Sequence, residues 1–519
     1  MALALLLVAA PAAAQSRQWR PEDRTLVTDL SVVTAVAATN NVVYAATPGA
    51  LAIYDRAFAS LREVVGPLDG YPETPVTAMV ASPTDDALWL ATTNGWFAYD
   101  AFLRRFDGGS LPGAVDQVVL DANDPGRGAW FHTGAGWYFV QRGGIMATPQ
   151  APPANHIGSL SYRDLTQRVP ALDAVQMRLE RDDLNRTWRL TAAAEAPLTH
   201  DLYVGTGGNG LFKLDPRSVM ADRLPSGLLG TVAEAVGAAR GQVCAGTDRR
   251  LGTVRRGITC FDEPLSSFTY FEAMHSAPLP GQRVHHVLVT QRAVWAATDA
   301  GLLHAPRGGG EPTLVRGANG PLAAEPLALA PSARGVWVGT ANGLALVADS
   351  GRGAAVAALI MGPPVLAVGE RADTAWVGST AGLLVLPPLD TAPLAVTGLP
   401  QMHETIVAIG VRGDSIVAAT ESRFLVRDLG GGWHIVDPAG GSIGRITAMS
   451  ADDRGGLWVA GTLGIAFFDP SRHLWDPLTT PGDVPVPVAD IAATRDYVWV
   501  ATPIGVMRYR RTTFMVDGR

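Results

Sequence analysis

Two pairs of neighbouring residues, His285-His286 and His403-Glu404, have the side-chain types that bind metals or transfer protons. Adjacent residues on a strand point to opposite sides, so His285 and His286 cannot chelate one ion without a third ligand. His403 and Glu404 could act as acid and base, but a single adjacent pair arises readily by chance. Whether either pair matters depends on the elements that position it.

Composition favours a folded, strand-rich chain. The 519 residues are 47% hydrophobic and 17% charged, with 57 glycines and 37 prolines, which suits an all-β protein with many turns. The formal net charge of -7 comes without a basic stripe, so we predict no nucleic-acid partner. No glycine-rich phosphate loop and no HExxH helix occur, and we predict no cofactor and no metal site.

A strand motif recurs eleven times, in most copies with Trp or Tyr at its second position and a small residue before a final Thr. It often precedes a tight turn and a second strand, as in GVWVGTANGLALVAD from Gly335. The spacing is about 41 residues in most of the chain, which predicts β-propeller blades of four antiparallel strands. The copies begin at Val43, Leu88, Ala129, Leu202, Val243, Val294, Val336, Ala375, Ile416, Leu457 and Val498.

The Trp or Tyr that most copies carry is predicted to pack between neighbouring blades, and the Gly or Ala before Thr to leave room for that contact. The alternative is that these aromatics form a sugar-stacking face. Their recurrence at one position of the unit favours packing.

The spacing breaks once, between the copies at Ala129 and Leu202. The extra stretch, roughly Gly143 to His200, opens rich in proline and then has a helical pattern from Tyr162 to Leu184. It could be a helical insertion, a degenerate blade or the crossover between two propellers. We predict two propellers, a smaller irregular one within residues 15–220 and a roughly seven-bladed one within 221–519. The alternative is a single ring of 11 or 12 blades.

An open ring would leave strand edges exposed, so something must close it. The segment from Gln18 to Leu30 is typical of an outer strand that precedes its own blade. It could pair with a strand from elsewhere and seal a ring, although the sequence does not indicate which blade it joins.

Cys244 and Cys260 are the only cysteines, and they lie at the far ends of a predicted hairpin. A cross-strand disulfide is one possibility in an oxidising compartment, and two buried thiols are the other. A metal site ranks lower because further ligands are lacking.

The first 14 residues indicate export. An apolar run from Ala2 to Ala10 precedes small residues at 12–14, as in a signal peptide cut after Ala14, although a basic start is missing. No later apolar run is long enough to span a bilayer. We therefore predict a periplasmic or secreted protein without a membrane span.

The unit LWLATTNGWFAYD at Leu88, with further copies at Leu202, Val336 and Leu457, resembles the two-component-regulator propeller repeat. The resemblance implies a periplasmic sensor-type propeller that binds ligands, here without a kinase or a membrane helix. An Asp-box pattern of other propellers has one loose match, Arg427 to Trp433, which we interpret as coincidence.

In a propeller, the loops that lead into the inner strands and the turns between second and third strands share one face, here called the upper face. We predict ligand contacts there, without a catalytic constellation. We therefore predict that the protein is a non-enzymatic propeller that binds an unknown ligand or protein, as a sensor or a scaffold. The alternative is that it is a lyase or glycoside hydrolase that uses His and carboxylates at the channel mouth. The predicted ligand-binding residues are Arg283, His285, His286, Asp299, Asn342, His403, Glu404 and Arg445, and the same face carries Glu421 and Asp490.

Overall fold

The computed structural model describes residues 21–215, 217–218, 220–248, 256–272, 283–307, 311–350, 353–388, 394–396, 399, 404–413, 415–428, 430–437, 442–452, 456–469, 474–477 and 483–511. The predicted signal peptide and His403 lie outside these residues.

The described residues form eleven antiparallel sheets, numbered here in chain order of their inner strands. Strand β1 (Arg24–Val27) comes first in the chain. Sheet 1 contains β2 (Ala35–Ala38), β3 (Val42–Ala46), β4 (Leu51–Asp55) and β5 (Leu61–Val65); sheet 2 contains β6 (Val76–Ala81), β7 (Leu88–Thr92), β8 (Gly95–Asp100) and β9 (Arg105–Ser110); sheet 3 contains β10 (Val115–Asp121), β11 (Gly128–Thr133), β12 (Gly136–Gln141), β13 (Ala147–Pro149) and β14 (His156–Gly158); sheet 4 contains β15 (Leu190–Glu195), β16 (Leu202–Thr206), β17 (Leu211–Leu214) and β18 (Ala221–Arg223).

The remaining sheets follow the same order of strands. Sheet 5 contains β19 (Val232–Ala239), β20 (Gln242–Asp248), β21 (Gly257–Asp262) and β22 (Phe268–Glu272); sheet 6 contains β23 (Val284–Val289), β24 (Ala293–Thr298), β25 (Gly301–Pro306) and β26 (Thr313–Val315); sheet 7 contains β27 (Pro326–Ser332), β28 (Gly335–Thr340), β29 (Gly343–Asp349) and β30 (Ala354–Met361); sheet 8 contains β31 (Val365–Arg371), β32 (Thr374–Ser379), β33 (Gly382–Leu386) and β34 (Leu394–Ala395); sheet 9 contains β35 (Ala408–Arg412), β36 (Ser415–Ala419), β37 (Phe424–Arg427) and β38 (Trp433–Val436); sheet 10 contains β39 (Ile446–Ala451), β40 (Leu457–Gly461), β41 (Gly464–Asp469) and β42 (Leu474–Pro477); sheet 11 contains β43 (Asp490–Ala493), β44 (Tyr497–Thr502) and β45 (Gly505–Arg510) together with β1.

The helices of the described residues are short. Two α-helices, α1 (Tyr162–Arg168) and α2 (Gln176–Glu180), lie between sheets 3 and 4 and pack on sheet 4. Four 3-10 turns cover Pro21–Asp23, Pro67–Asp69, Pro170–Ala174 and Pro321–Ala323. None of the helices in the described residues has the length and apolar character needed to cross a bilayer.

All eleven copies of the motif form the second strand of a sheet, so the all-β propeller prediction is confirmed. The motif Thr closes the following turn. The hydroxyl of Thr340, for example, donates to the carbonyl of Gly343 at 3.0 Å and accepts the N–H of Asn342 at 3.2 Å. Thr502 and Thr92 donate in the same way to Gly505 and Gly95. The turn is thus held by a side chain as well as by its backbone.

The inner strands of sheets 5 to 11 contact one another in sequence, and β43 contacts β19, which closes a ring of seven sheets. A single ring of 11 or 12 blades is therefore wrong. Strand β1 pairs with β45, from Arg24 opposite Tyr509 to Val27 opposite Val506. The outer strand of the last sheet thus comes from the early part of the chain, and it protects an edge that would otherwise be exposed.

Sheets 1 to 4 form a smaller group. Strand β2 contacts both β6 and β15, and β6 contacts β10. The remaining gap, between β10 and β15, is bridged by the chain that follows sheet 3. Strand β14 pairs with β10, and Leu160 pairs with Ala193 of β15.

The two groups of sheets meet at a buried ion network around Arg24. The Arg24 guanidinium lies 3.1 Å from Asp69, which follows sheet 1, and 3.5 Å from Asp483, which precedes sheet 11. All three side chains are about 8% exposed. The backbone from residue 28 to 33 is also hydrogen-bonded to residues 206–228, for example from Leu30 N–H to the Ser226 carbonyl at 2.9 Å.

The motif aromatics are buried between sheets, which confirms the packing interpretation. Trp295 and Trp499 are fully buried and Trp337 is 2% exposed. The small residue before Thr is needed for this contact. A Cβ atom added to Gly339 would lie 2.6 Å from Val365 of the next sheet, closer than real Cβ atoms come to other atoms.

Candidate functional site

The seven-sheet ring encloses a central channel with a volume of about 800 Å³, lined by all seven inner strands. Many of the lining residues have apolar side chains, among them Val236, Val287, Leu329, Val368, Ile409 and Ile491. Polar side chains stand at the two ends. At the upper face these are His285, His286 and Asp490, and at the opposite end they include Arg240, Glu370 and Arg495.

His285 and His286 lie near the start of strand β23, where the register with β24 is irregular between Val284 and His286, and both residues line the channel. His285 Nε2 lies 2.6 Å from Oε1 of Glu325, which directly precedes β27 of the next sheet. The His285 side chain is 18% exposed and the Glu325 side chain 43%, so the pair is open to solvent. It offers both a donor and an acceptor to a ligand at the channel mouth.

Asp490 lies on the other side of His286. Its carboxylate accepts the N–H of Val236 at 2.9 Å and the N–H of Ile491 at 2.8 Å. Burial raises the pKa of Asp490, and the nearby His286 and these two N–H donors oppose that shift. The Nδ1 atom of His286 is buried and has no hydrogen-bond partner among the described residues. Asp490 therefore links sheet 11 to sheet 5 at the closure of the ring, beside a histidine that can still bond to a ligand.

Two ion pairs lie on the rim of the upper face. Arg445 Nη1 is 3.7 Å from Glu421, and Arg423 Nη1 is 3.8 Å from Glu404. Each pair joins a turn between second and third strands to a loop that leads into an inner strand. These exposed pairs contribute little to stability, which leaves their charges available for binding.

The other predicted residues lie on the same face. Arg283 and Asp299 are exposed, and the Asp299 N–H donates to the Arg283 carbonyl at 3.3 Å. Asn342 is exposed in the turn of sheet 7. The prediction for the pair His403-Glu404 is not tested, since His403 lies outside the described residues.

Two features near these positions were not predicted from the sequence. Glu325, the partner of His285, precedes a proline at a strand start and carries no motif. A Gly-x-Ser-x-Gly spacing centred on Ser442 also occurs in the sequence. Strand β39 follows it where a nucleophile elbow has a helix. Ser442 lies in a turn, and its hydroxyl accepts a hydrogen bond from Trp475 Nε1 at 3.5 Å.

Cys244 and Cys260 are joined by a disulfide, with Cα atoms 4.0 Å apart on directly opposed positions of β20 and β21. The pair is buried in the core between sheets 5 and 6. It is a structural link within one blade, away from the channel mouth.

Within the described residues, no group of three or more His, Cys, Asp or Glu side chains is arranged to hold a metal ion. The channel mouth has imidazole, carboxylate and guanidinium groups above apolar walls. A concave site that combines apolar side chains with several polar groups is typical of a binding site.

Comparison with known proteins shows the fold and no more. No protein-family profile and no curated protein matches the sequence. Among solved structures, the chain is similar to PorZ, an essential surface component of the type-IX secretion system of Porphyromonas gingivalis, with a TM-score of 0.54, 12% identity and coverage of 96% of this chain and 88% of PorZ. It is also similar to the extracellular domain of the putative hybrid two component system BT3049 from B. thetaiotaomicron, with a TM-score of 0.44, 14% identity and coverage of 91% of this chain and 60% of that one.

Proposed function

We propose that this chain is an exported, non-enzymatic propeller that binds a ligand or a partner protein at the upper face of the seven-sheet ring. The observation that carries the proposal is the channel mouth, where the His285–Glu325 pair, His286 and the rim ion pairs surround an apolar channel of about 800 Å³. A sensor module and an assembly scaffold both fit this geometry.

Export is supported by the signal-like segment at 1–14 and by the disulfide, because disulfides persist in oxidising compartments. We further propose that residues 15–220 and 221–519 are the two structural units of the exported protein. Strand β1 belongs to the first unit in sequence and completes a sheet of the second by pairing with β45.

A thermal-shift screen with sugars, peptides and divalent metal ions tests the binding proposal. We expect a compound that raises the melting temperature of the wild type and has a reduced effect on the His286→Ala and Arg445→Ala variants. A bound ligand stabilises the folded state in proportion to the logarithm of its concentration over Kd, by about 2.7 kcal/mol at 100 times Kd.

The matched control is Arg105→Ala, which removes a similarly exposed arginine from the Arg105–Asp107 pair of sheet 2. This variant should keep the full ligand shift. Equal shifts in all three variants would place the binding site elsewhere, and conversion of a sugar by the wild type would favour the lyase or hydrolase alternative.

A further inference from the structure

A second cleft lies at the outer part of the ring, between sheets 8 and 9, and is separate from the channel. Its volume is about 600 Å³. It is bordered by the turn between β31 and β32 and by the turn between β37 and β38. The side chains that matter here are Arg371, Thr374, Trp376, Val385, Arg427 and Trp433.

Two tryptophans form an aromatic wall of this cleft. Trp376 comes from the second strand of sheet 8 and Trp433 from the outer strand of sheet 9, with ring centroids 5.7 Å apart and an angle of 62° between the rings. Trp376 is 7% exposed, whereas the motif tryptophans 89, 130, 295, 337, 458 and 499 are at most 2% exposed. At sheet 8, therefore, the packing aromatic also reaches a cavity.

Arg427 brings a positive charge to this wall. Its guanidinium carbon lies 5.3 Å from the centroid of the Trp376 ring. Among the described residues, no carboxylate or carbonyl accepts a hydrogen bond from Arg427. The neighbouring Asp428 is held by its own turn, where its Oδ1 accepts the Gly432 N–H at 2.8 Å. The guanidinium thus keeps N–H donors for a ligand.

We propose that this cleft binds a small ligand that carries a carboxylate next to a flat apolar face. A guanidinium pairs with a carboxylate through two parallel hydrogen bonds, and indole rings pack against flat apolar surfaces. The Thr374 hydroxyl and the Arg371 side chain add polar contacts at the border. Aromatic acids and acidic sugars share this chemistry. The site goes beyond the function proposed for the channel mouth and does not depend on it.

Calorimetric titration of the full chain at neutral pH with two acids tests the proposal. The acids are phenylacetate and galacturonate, and their neutral counterparts are phenylacetamide and galactose. We expect at least one acid to bind about tenfold or more tightly than its neutral counterpart, since a neutral ligand leaves the cation without its charge-assisted bonds. A preference for one of the two acids shows whether the natural ligand is an aromatic acid or an acidic sugar. Affinities weaker than about 10 mM for both acids, or equal binding of acid and neutral forms, would overturn the proposal.

Two arginine variants locate the site. Arg427→Gln should weaken acid binding about tenfold or more. Arg334→Gln is the matched control, because Arg334 also lies over a motif tryptophan, 6.0 Å from the Trp337 ring, but outside the cleft. It should bind like the wild type, as should the channel variant His286→Ala. Unchanged binding by a folded Arg427→Gln protein would refute the site. If this variant does not fold, the comparison of acid with neutral ligands on the wild type still tests the proposal.

Discussion

Asp490 is a buried carboxylate whose two hydrogen bonds come from backbone N–H groups on either side of the ring closure. Because burial raises its pKa, the folded protein binds this proton more tightly than the unfolded chain does. The contribution of Asp490 to stability is therefore full below its ordinary pKa of 3.8, and it is lost as the pH rises through the raised value.

Substitution Asp490→Asn should remove this pH dependence while keeping one acceptor oxygen. We expect the free energy of unfolding of the wild type, relative to the variant, to fall as the pH rises above the ordinary pKa of 3.8, by about 1.4 kcal/mol for each unit by which the pKa is raised. Chemical denaturation at several pH values measures this difference.

Because His286 lies beside Asp490, the comparison is repeated in a His286→Gln background. The relative loss with rising pH should persist there. If the stability curves with and without the Asp490→Asn substitution run parallel in both backgrounds, the carboxylate is not responsible.

The residues of the channel mouth were predictable by type and position, but their partners were not. His285 and His286 stood out because histidine is rare and both precede an inner strand. Glu325 has no such signal, since its contact with His285 depends on how closely two neighbouring sheets approach. Trp433 and Arg427 were dismissed as a chance match to another repeat, because the cleft forms only where the turns of two sheets meet.

At the scale of the sheet, spacing between blades is set by the small residue before the motif Thr. The backbone of Gly339 and the side chain of Val365 are so close that a Cβ atom at 339 would lie 2.6 Å from Val365 Cγ1. Both residues belong to strands, where neither backbone can move alone.

Substitution Gly339→Ala should therefore destabilise the ring, by about 1–3 kcal/mol if the sheets shift as in other overpacked cores. Thermal unfolding compares it with Gly134→Ala, where an added Cβ would meet nothing within 4 Å. The control should change stability by less than about 0.5 kcal/mol. Equal melting temperatures for the two variants would contradict a role of Gly339 in sheet spacing.

The sheets were predictable because one local pattern, an apolar strand followed by Thr and a tight turn, codes for the second and third strands. The outer strands of the sheets were harder to predict. Strand β9 (Arg105–Ser110) is mostly exposed and has two glycines, so it carries no alternating pattern. Such strands form because the third strand presents an edge to them.

At the scale of the whole molecule, Arg24 is the cation shared by two buried carboxylates from different groups of sheets. Substitution Arg24→Met would leave Asp69 and Asp483 as neighbouring buried charges. We expect a loss of about 3–5 kcal/mol, the usual cost of breaking a buried ion pair by removing one partner.

The Arg105→Met variant serves as the control in chemical denaturation, because Arg105 and Asp107 are 64% and 52% exposed. Its cost should stay below about 1 kcal/mol. A similar small cost for Arg24→Met would mean that the two groups of sheets are joined without help from this network.

The break in the spacing favoured two propellers over one large ring, but the way in which the seven-sheet ring closes could not be predicted. Strand β1 is only four residues long, Arg24–Val27, and its partner lies at the other end of the chain. No local pattern encodes a contact over such a distance.

The pairing of β1 with β45 has a consequence for biosynthesis. Arg508 donates a hydrogen bond to Thr25 across a separation of 483 residues, so the seven-sheet ring cannot close until β45 has been synthesised. Meanwhile, the bonds from residues 28–33 to residues 206–228 hold the early strand beside the start of sheet 5. The first four sheets thereby hold β1 in position, and the ring closes when β45 pairs with it.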